Sequence, residues 1–255
     1  MRVPFPTHRL MSDASIGEVL EVAEAYAADV LNDTKPPESV GYVKPYSDLW
    51  WNSRRGKVTS SKRLYTVLYG TVAAKNKMLD DLEAELADGF TWPAEAQGAA
   101  LSWGKDHETQ ARNLIELMHD VKTYEPGFLC HTDVPILACT PDYAIVGAEI
   151  TGEIKCPYKP ENHQKLFLQG LKSNDKYVVQ VQGQMLITSS ACGWFSSFDP
   201  RATHAMRLSR ETILPDDEMQ TSMLYGCEKI ASMLQSGSRF GRGKVTTPTG
   251  VRKCF

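Results

Sequence analysis

Two carboxylates and a lysine carry the chemistry that stands out in this chain. Asp142 closes the segment Thr140-Pro141-Asp142, and Glu153 and Lys155 lie two apart in Gly152-Glu153-Ile154-Lys155-Cys156-Pro157. Both segments sit inside apolar runs that read as strands. Strand side chains alternate faces, so Glu153 and Lys155 share one side while Ile154 points into the core. Two such strands side by side would bring Asp142 within reach of Glu153. Converging carboxylates make a hard-oxygen site suited to Mg²⁺, and an ammonium beside them can hold or polarise a water. That combination suits phosphodiester hydrolysis. The competing reading is a solvated strand face bearing an ordinary Glu–Lys pair. Glu149, four residues before Glu153, competes for the metal role but has no lysine two residues on.

Four further blocks accompany this segment. They are Trp50-Trp51-Asn52-Ser53-Arg54-Arg55-Gly56-Lys57-Val58-Thr59-Ser60-Ser61, Trp103-Gly104-Lys105-Asp106-His107-Glu108, Tyr177-Val178-Val179-Gln180-Val181-Gln182 and Trp194-Phe195-Ser196-Ser197-Phe198-Asp199-Pro200-Arg201. In this order the five blocks resemble the signature of the YqaJ-type viral recombinase family, the lambda-exonuclease-like branch of the PD-(D/E)xK nuclease superfamily. The resemblance runs from about residue 50 to about residue 211. It implies an α/β fold with a restriction-endonuclease-like core, a central mixed sheet flanked by helices. It also implies a Mg²⁺-dependent 5′→3′ exonuclease that degrades one strand of double-stranded DNA from an end to mononucleotides. The remaining 3′ strand would serve a single-strand annealing protein, and the enzyme would be a ring-shaped homotrimer. Two Mg²⁺ ions per site are expected, with Mn²⁺ as a substitute.

The resemblance also assigns roles. Asp142, Glu153 and the Ile154 backbone carbonyl become metal ligands, with Lys155 orienting the attacking water. Glu108 matches the family's third acidic residue, catalytic and in reach of the metal. Its neighbour His107 is set aside, because a helical neighbour points a quarter-turn away. Arg54 and Ser61 match the seat of the terminal 5′-phosphate. The residue types agree: Thr59, Ser60 and Ser61 supply hydroxyls and N–H groups at a helix start, and arginine gives paired hydrogen bonds to phosphate. The duller alternative makes Ser60 a helix cap and Arg54 a surface charge. Arg55 does not match. Gln180 and Tyr177, three apart on one helical face, match polar residues that support the active site. Many related nucleases carry Gln-x-x-x-Tyr here, whereas this chain has Gln184 in place of the tyrosine. Leu101 matches an apolar wedge that parts the strands at a duplex end, although a core role would serve equally. Two rival functions remain: a related nuclease of other polarity or of single-strand or end-independent substrate, and a non-catalytic DNA-end-binding module.

These side chains need elements to position them. Ile16, Val19, Leu20, Ala23, Ala27 and Val30 repeat at helical spacing over residues 15–31, with Ser15 and Glu18 as a capping box. A proline- and glycine-rich loop over 34–46 follows. Helices are expected from Thr59-Ser60-Ser61, over 73–87, and over 93–118 after the break at Asp88-Gly89. Short β-rich runs occupy 127–130, 136–146 and 148–156, with Thr151-Gly152 interrupting the last. Helices over 160–171 and 175–188 precede strands at 192–198 and 203–208, split by the turn Asp199-Pro200. A last helix covers 216–234. A single domain over 1–255 is expected, with N-terminal helices packed on the core. The tail from 236 carries Arg239, Arg242, Lys244, Arg252 and Lys253 and no acid, so it is either a solvated terminus or a DNA-contacting arm.

Composition narrows the class. In 255 residues, 42% are hydrophobic and 23% charged, the balance of a soluble globular protein with no run long enough for a bilayer. The first residues lack the apolar stretch of a secretory signal, so a cytoplasmic location is expected, in a bacterial cell carrying a phage or prophage. None of the six cysteines forms a C-x-x-C pair, which leaves reduced, buried thiols. A net charge of −3 neither announces nor forbids a DNA binder, because a local basic surface is what matters.

Overall fold

The computed structural model describes residues 43, 45, 47–87, 90, 99–172 and 175–241. The helix expected over 15–31, most of the loop over 34–46, the Asp88-Gly89 break, the start of the 93–118 helix and the tail beyond residue 241 lie outside them. Seven α-helices and eight strands are described: α1 Asp48–Ser53, β1 Val58–Thr59, α2 Lys62–Tyr69, α3 Val72–Leu86, α4 Ala99–His119, β2 Thr123–Tyr124, β3 Leu129–Cys130, β4 Leu137–Cys139, β5 Tyr143–Ile145, β6 Ile150–Lys155, α5 Pro160–Gln169, α6 Lys176–Thr188, β7 Cys192–Phe198, β8 Leu208–Ile213 and α7 Asp217–Ser236.

The strands form two sheets. Five lie in the order β2-β5-β6-β7-β8, and β1-β4-β3 form the other. The larger sheet is mixed: β6 pairs parallel with β7, while β5–β6 and β7–β8 are antiparallel. Helices cover both of its faces. On one, Ala111 and Ile115 of α4 pack with Tyr143, Ile145, Ile154 and Phe198. On the other, Val181 and Met185 of α6 pack with Phe195 of β7. A second core joins the small sheet to the helical layer, with Val58, Leu64, Leu79, Leu82, Leu137, Val179, Met223 and Ile230. Helix α6 therefore touches both sheets. The expected α/β core is present.

Three local expectations are corrected. The second helix does not begin at Thr59: Val58 and Thr59 form a parallel pair with Leu137 and Ala138, and α2 starts after Ser61. Thr151-Gly152 does not interrupt β6. Gly152 stands opposite Tyr143, and a Cβ there would come within 2.0 Å of the Tyr143 ring, so the glycine makes room for the ring and the strand runs on. The strand expected at 203–208 is a short 3₁₀ turn, His204–Met206, followed by β8 at 208–213. Residue Arg239, in the expected basic tail, pairs with Asp80 and Glu83 of α3.

Candidate active site

The β5–β6 register pairs Tyr143 with Gly152, which sets Asp142 one step beyond and opposite Glu153. The pairing extends past the strand end: the Asp142 N–H donates to the Gly152 carbonyl (3.1 Å), and the Ile154 N–H donates to Asp142 Oδ2 (2.6 Å). Asp142 is thus fixed by backbone at both ends. Glu153 is 1% exposed, a deep burial for an acid. It accepts from Lys155 Nζ, from Gln180 Nε2 at 2.7 Å on Oε1, and from Gln184 Nε2 at 2.6 Å on Oε2. Alternation on β6 explains the first contact: Glu153 and Lys155 share a face, while Ile154 is buried against α4. The Lys155 ammonium also lies 5.7 Å from the Tyr177 ring centre, and that ring stacks on Phe195 at 5.1 Å.

The electrostatics bind a third acid to this pair. Burial, then Glu153, raise the Glu108 carboxyl to about 7. Burial, then Glu153 and Glu108, push the Asp142 carboxyl well above the ordinary carboxylate range. Burial opposes the Lys155 charge, but Glu153 and Asp142 more than offset it and hold the ammonium above its usual range. Asp142, Glu153, Glu108 and Lys155 therefore share one field, three acids against a single ammonium. Glu149 is exposed and only its carbonyl is used, accepting from Ala191 and Cys192 N–H groups. His107 is occupied as well, its Nδ1 bonding to the Trp103 carbonyl (2.8 Å) and its ring stacked on Trp103 at 3.9 Å.

Do these residues fit a divalent ion? Among the described residues no three histidine, cysteine or acidic side chains close round a metal by themselves. Mg²⁺ does not require that, since it keeps several waters and takes one or two carboxylates plus phosphate. The donors at hand are hard carboxylate oxygens, and two of them, Glu108 and Asp142, are shifted toward the protonated form by burial first and then by the neighbouring acids, a penalty that a dication would relieve. The set fits Mg²⁺ or Mn²⁺ and does not resemble a closed zinc site.

The remaining candidates, Ser61 and Arg54, lie by the other sheet. Ser61 is exposed, at the N-cap of α2, and makes no side-chain capping bond; its hydroxyl is 3.3 Å from that of Thr59. Ser60 is buried and does not cap the helix. The Arg54 guanidinium lies 4.2 Å from the Trp50 ring centre, a cation–π contact, and Trp50 Nε1 donates to Thr140 Oγ1 at 3.0 Å. Thr140-Pro141-Asp142 thus reaches Trp50, which carries the Arg54 guanidinium, and the Ile154 N–H within three residues. Arg55 serves elsewhere: it donates to the carbonyls of Glu85 (2.7 Å) and Ala87 (2.9 Å) and anchors the turn after α1. Leu101 on α4 is 42% exposed, which rules out the core role.

Two residues at these clusters received no role from the sequence. Thr140 sits inside the most informative motif, but nothing in its type predicts the bond to Trp50. Gln184 carried a usable signal, an amide among the apolar residues of α6 and one turn from Gln180.

The comparisons agree with this architecture. No curated protein sequence matches the chain. Among solved structures, an alkaline exonuclease from Laribacter hongkongensis is similar at 24% identity and a TM-score of 0.68, over 75% of this chain and 94% of that one. The same enzyme in complex with dAMP gives 22% and 0.67 over the same shares. A phage-related exonuclease from Haemophilus somnus 129PT gives 14% and 0.53, over 78% of this chain and 97% of that one. Residues 49–191 match the family model of the YqaJ-like viral recombinase domain, a span that holds Asp142, Glu153, Lys155, Arg54 and Ser61. The chain belongs to the YqaJ-like viral recombinase family.

Proposed function

We propose that this protein is a divalent-metal-dependent exonuclease that degrades one strand of double-stranded DNA from a 5′-phosphorylated end, releasing mononucleotides. The observation that carries the reading is the placement of Asp142 opposite Glu153 by the β5–β6 register, with the Lys155 ammonium on Glu153; the raised Glu108 carboxyl adds a third acid to the same field. Family membership supports it, as does the binding of dAMP by the similar Laribacter enzyme. Asp142, Glu153 and the Ile154 carbonyl would hold two Mg²⁺ or Mn²⁺ ions, with Glu108 in reach. Such ions lower the pKa of a bound water and neutralise charge on phosphate oxygens.

The side chains divide the remaining work. Lys155, tied to Glu153, presents an ammonium that orients the attacking water and offsets charge on the scissile phosphate. Gln180 keeps the Glu153 carboxylate aimed, and Tyr177 walls the ammonium against Phe195. Arg54 and Ser61 hold the terminal 5′-phosphate, Arg54 through its fork and Ser61 through a hydroxyl not used in capping. Leu101 offers an exposed apolar edge to the last base pair. The rest of the reading completes this picture: one domain over 1–255, a homotrimer that threads DNA, a single-strand annealing protein as partner, and the bacterial cytoplasm as the place of action.

The test uses linear duplex labelled separately at each strand end, with Mg²⁺, alongside closed circular DNA. Expected is release of mononucleotides from the 5′-phosphorylated strand and no attack on circles. Lys155→Met should lower kcat by at least about 100-fold while KM for DNA changes little. Cleavage of circles, 3′-end attack, or full activity in the variant would each overturn a named part of the reading.

A further inference from the structure

We propose that Gln184 is a positioning residue, which together with Gln180 clamps both oxygens of Glu153 and sets the strength with which that carboxylate takes a divalent ion. The proposal deepens the nuclease reading above and rests on it for the identity of the ion.

Gln184 is wholly buried in the middle of α6, where its neighbours Val181 and Met185 are core residues. Its Nε2 donates to Glu153 Oε2 at 2.6 Å. One turn earlier Gln180 Nε2 donates to Oε1 at 2.7 Å. Residues four apart stand above one another on a helix, so the two amides form a fork matched to the two carboxylate oxygens. The amide orientation follows from charge: the opposite flip would set a carbonyl oxygen against a buried carboxylate. Gln184 Oε1 then has no partner among the described residues and is shielded from solvent. A buried amide with an unmet acceptor costs stability, and a methionine or leucine would fill the space without one but would leave Glu153 Oε2 without its donor. What the glutamine supplies, and a hydrocarbon does not, is the bond to Glu153.

The consequence for the site is geometric. Lys155 and Gln180 both draw on Oε1, so among the described residues Gln184 alone restrains Oε2. Without it the carboxylate can rotate about the bond to its methylene, and a ligand that must meet Asp142 at one ion would be aimed less well. Groups that orient metal ligands in this way commonly change metal affinity or activity by about 10–100-fold when removed.

The experiment compares the full-length wild type with Gln184→Met, which keeps volume and removes the donor, and Gln184→Asn, which keeps the donor on a shorter stem. Three readouts are taken: Mn²⁺ affinity by calorimetry without DNA, kcat and KM on 5′-phosphorylated duplex, and a double-mutant cycle in denaturant with Glu153→Gln. Expected for Gln184→Met are a Mn²⁺ affinity and a kcat lower by about tenfold or more, KM within about twofold, and clear coupling in the cycle. Gln184→Asn should recover part of the loss. Unchanged Mn²⁺ affinity and kcat in Gln184→Met, or additive stabilities in the cycle, would overturn the clamp. Should the wild type cleave no DNA at all, the nuclease reading falls, while the cycle and the calorimetry still decide the role of Gln184.

Discussion

Glu108 shows how a single buried acid reports the charge that surrounds it. Its carboxyl is raised to about 7, by burial first and then by Glu153, so the apo fold prefers it protonated. A raised carboxyl makes the native state bind more protons than the unfolded chain between about 4.5 and 7, and its contribution to stability is lost as pH rises through that window. Asp142 shifts in the same direction. Other groups have the opposite sign: the Asp199 carboxyl is held low, burial being outweighed by Arg201, and it loses stability on acidification. The informative quantity is therefore the difference between Glu108→Gln and wild type. In chelator, the variant should gain on the wild type from pH 5 to pH 8, by about 1–3 kcal/mol in thermal or denaturant melts. Mn²⁺ should then stabilise the wild type at pH 8 more than at pH 5, because ligands must be deprotonated. A pH-independent difference would mean that Glu108 does not share the field of Glu153.

At the scale of elements, legibility followed how much side-chain pattern each one carries. Helix α6 and strand β7 matched their expected bounds closely, since both are apolar and long enough to show a period. The two-residue strands β1 and β2 show none, and they owe their place to partners distant in the chain. Strand β8, Leu-Ser-Arg-Glu-Thr-Ile, is a half-exposed edge whose polar residues hide its alternation, so the apolar spots before it drew the expectation too early. Gly152 is the sharpest case, because glycine reads as a break in one dimension and as a seat for a ring in three. Filling that seat has a predictable effect. Gly152→Ala would drive a methyl into the fully buried Tyr143 ring on a strand that also holds Glu153 and Lys155. Overpacking of this kind costs about 1–3 kcal/mol or more, so thermal melts should show a marked loss of stability. A melting temperature equal to wild type would mean that the ring moves aside freely, and that Tyr143 does not fix the β5–β6 register.

Across the whole molecule, the two candidate clusters belong to different sheets. Glu153 stands on the five-stranded sheet and Asp142 just before its strand β5, and Arg54 and Ser61 stand by the three-stranded one. The sequence blocks named both groups of residues but gave no hint of what joins them. Two links are visible: Thr140-Pro141-Asp142, which reaches Trp50 on one side and the Ile154 N–H on the other, and helix α6. Within α6, Gly183 lies between the turns that carry Gln180 and Gln184. A Cβ on Gly183 would come within 2.4 Å of the Leu64 side chain and 3.2 Å of Ser60 Cβ. Leu64 is fully buried and Ser60 adjoins Ser61, so neither has open space to yield into. Gly183→Ala should therefore push α6 and the start of α2 apart and disturb both clusters through one methyl group. The expected outcome is a loss of about 1–3 kcal/mol in stability, a lower kcat, and a weaker preference for 5′-phosphate over 5′-hydroxyl ends. The preference is the discriminating measurement. A change confined to the acid site would slow both substrates equally, whereas a shift at Ser60 and Ser61 must weaken the advantage of the phosphate. If the ratio of the two rates stays at its wild-type value while stability falls, α6 is a passive part of the core and the clusters are set independently.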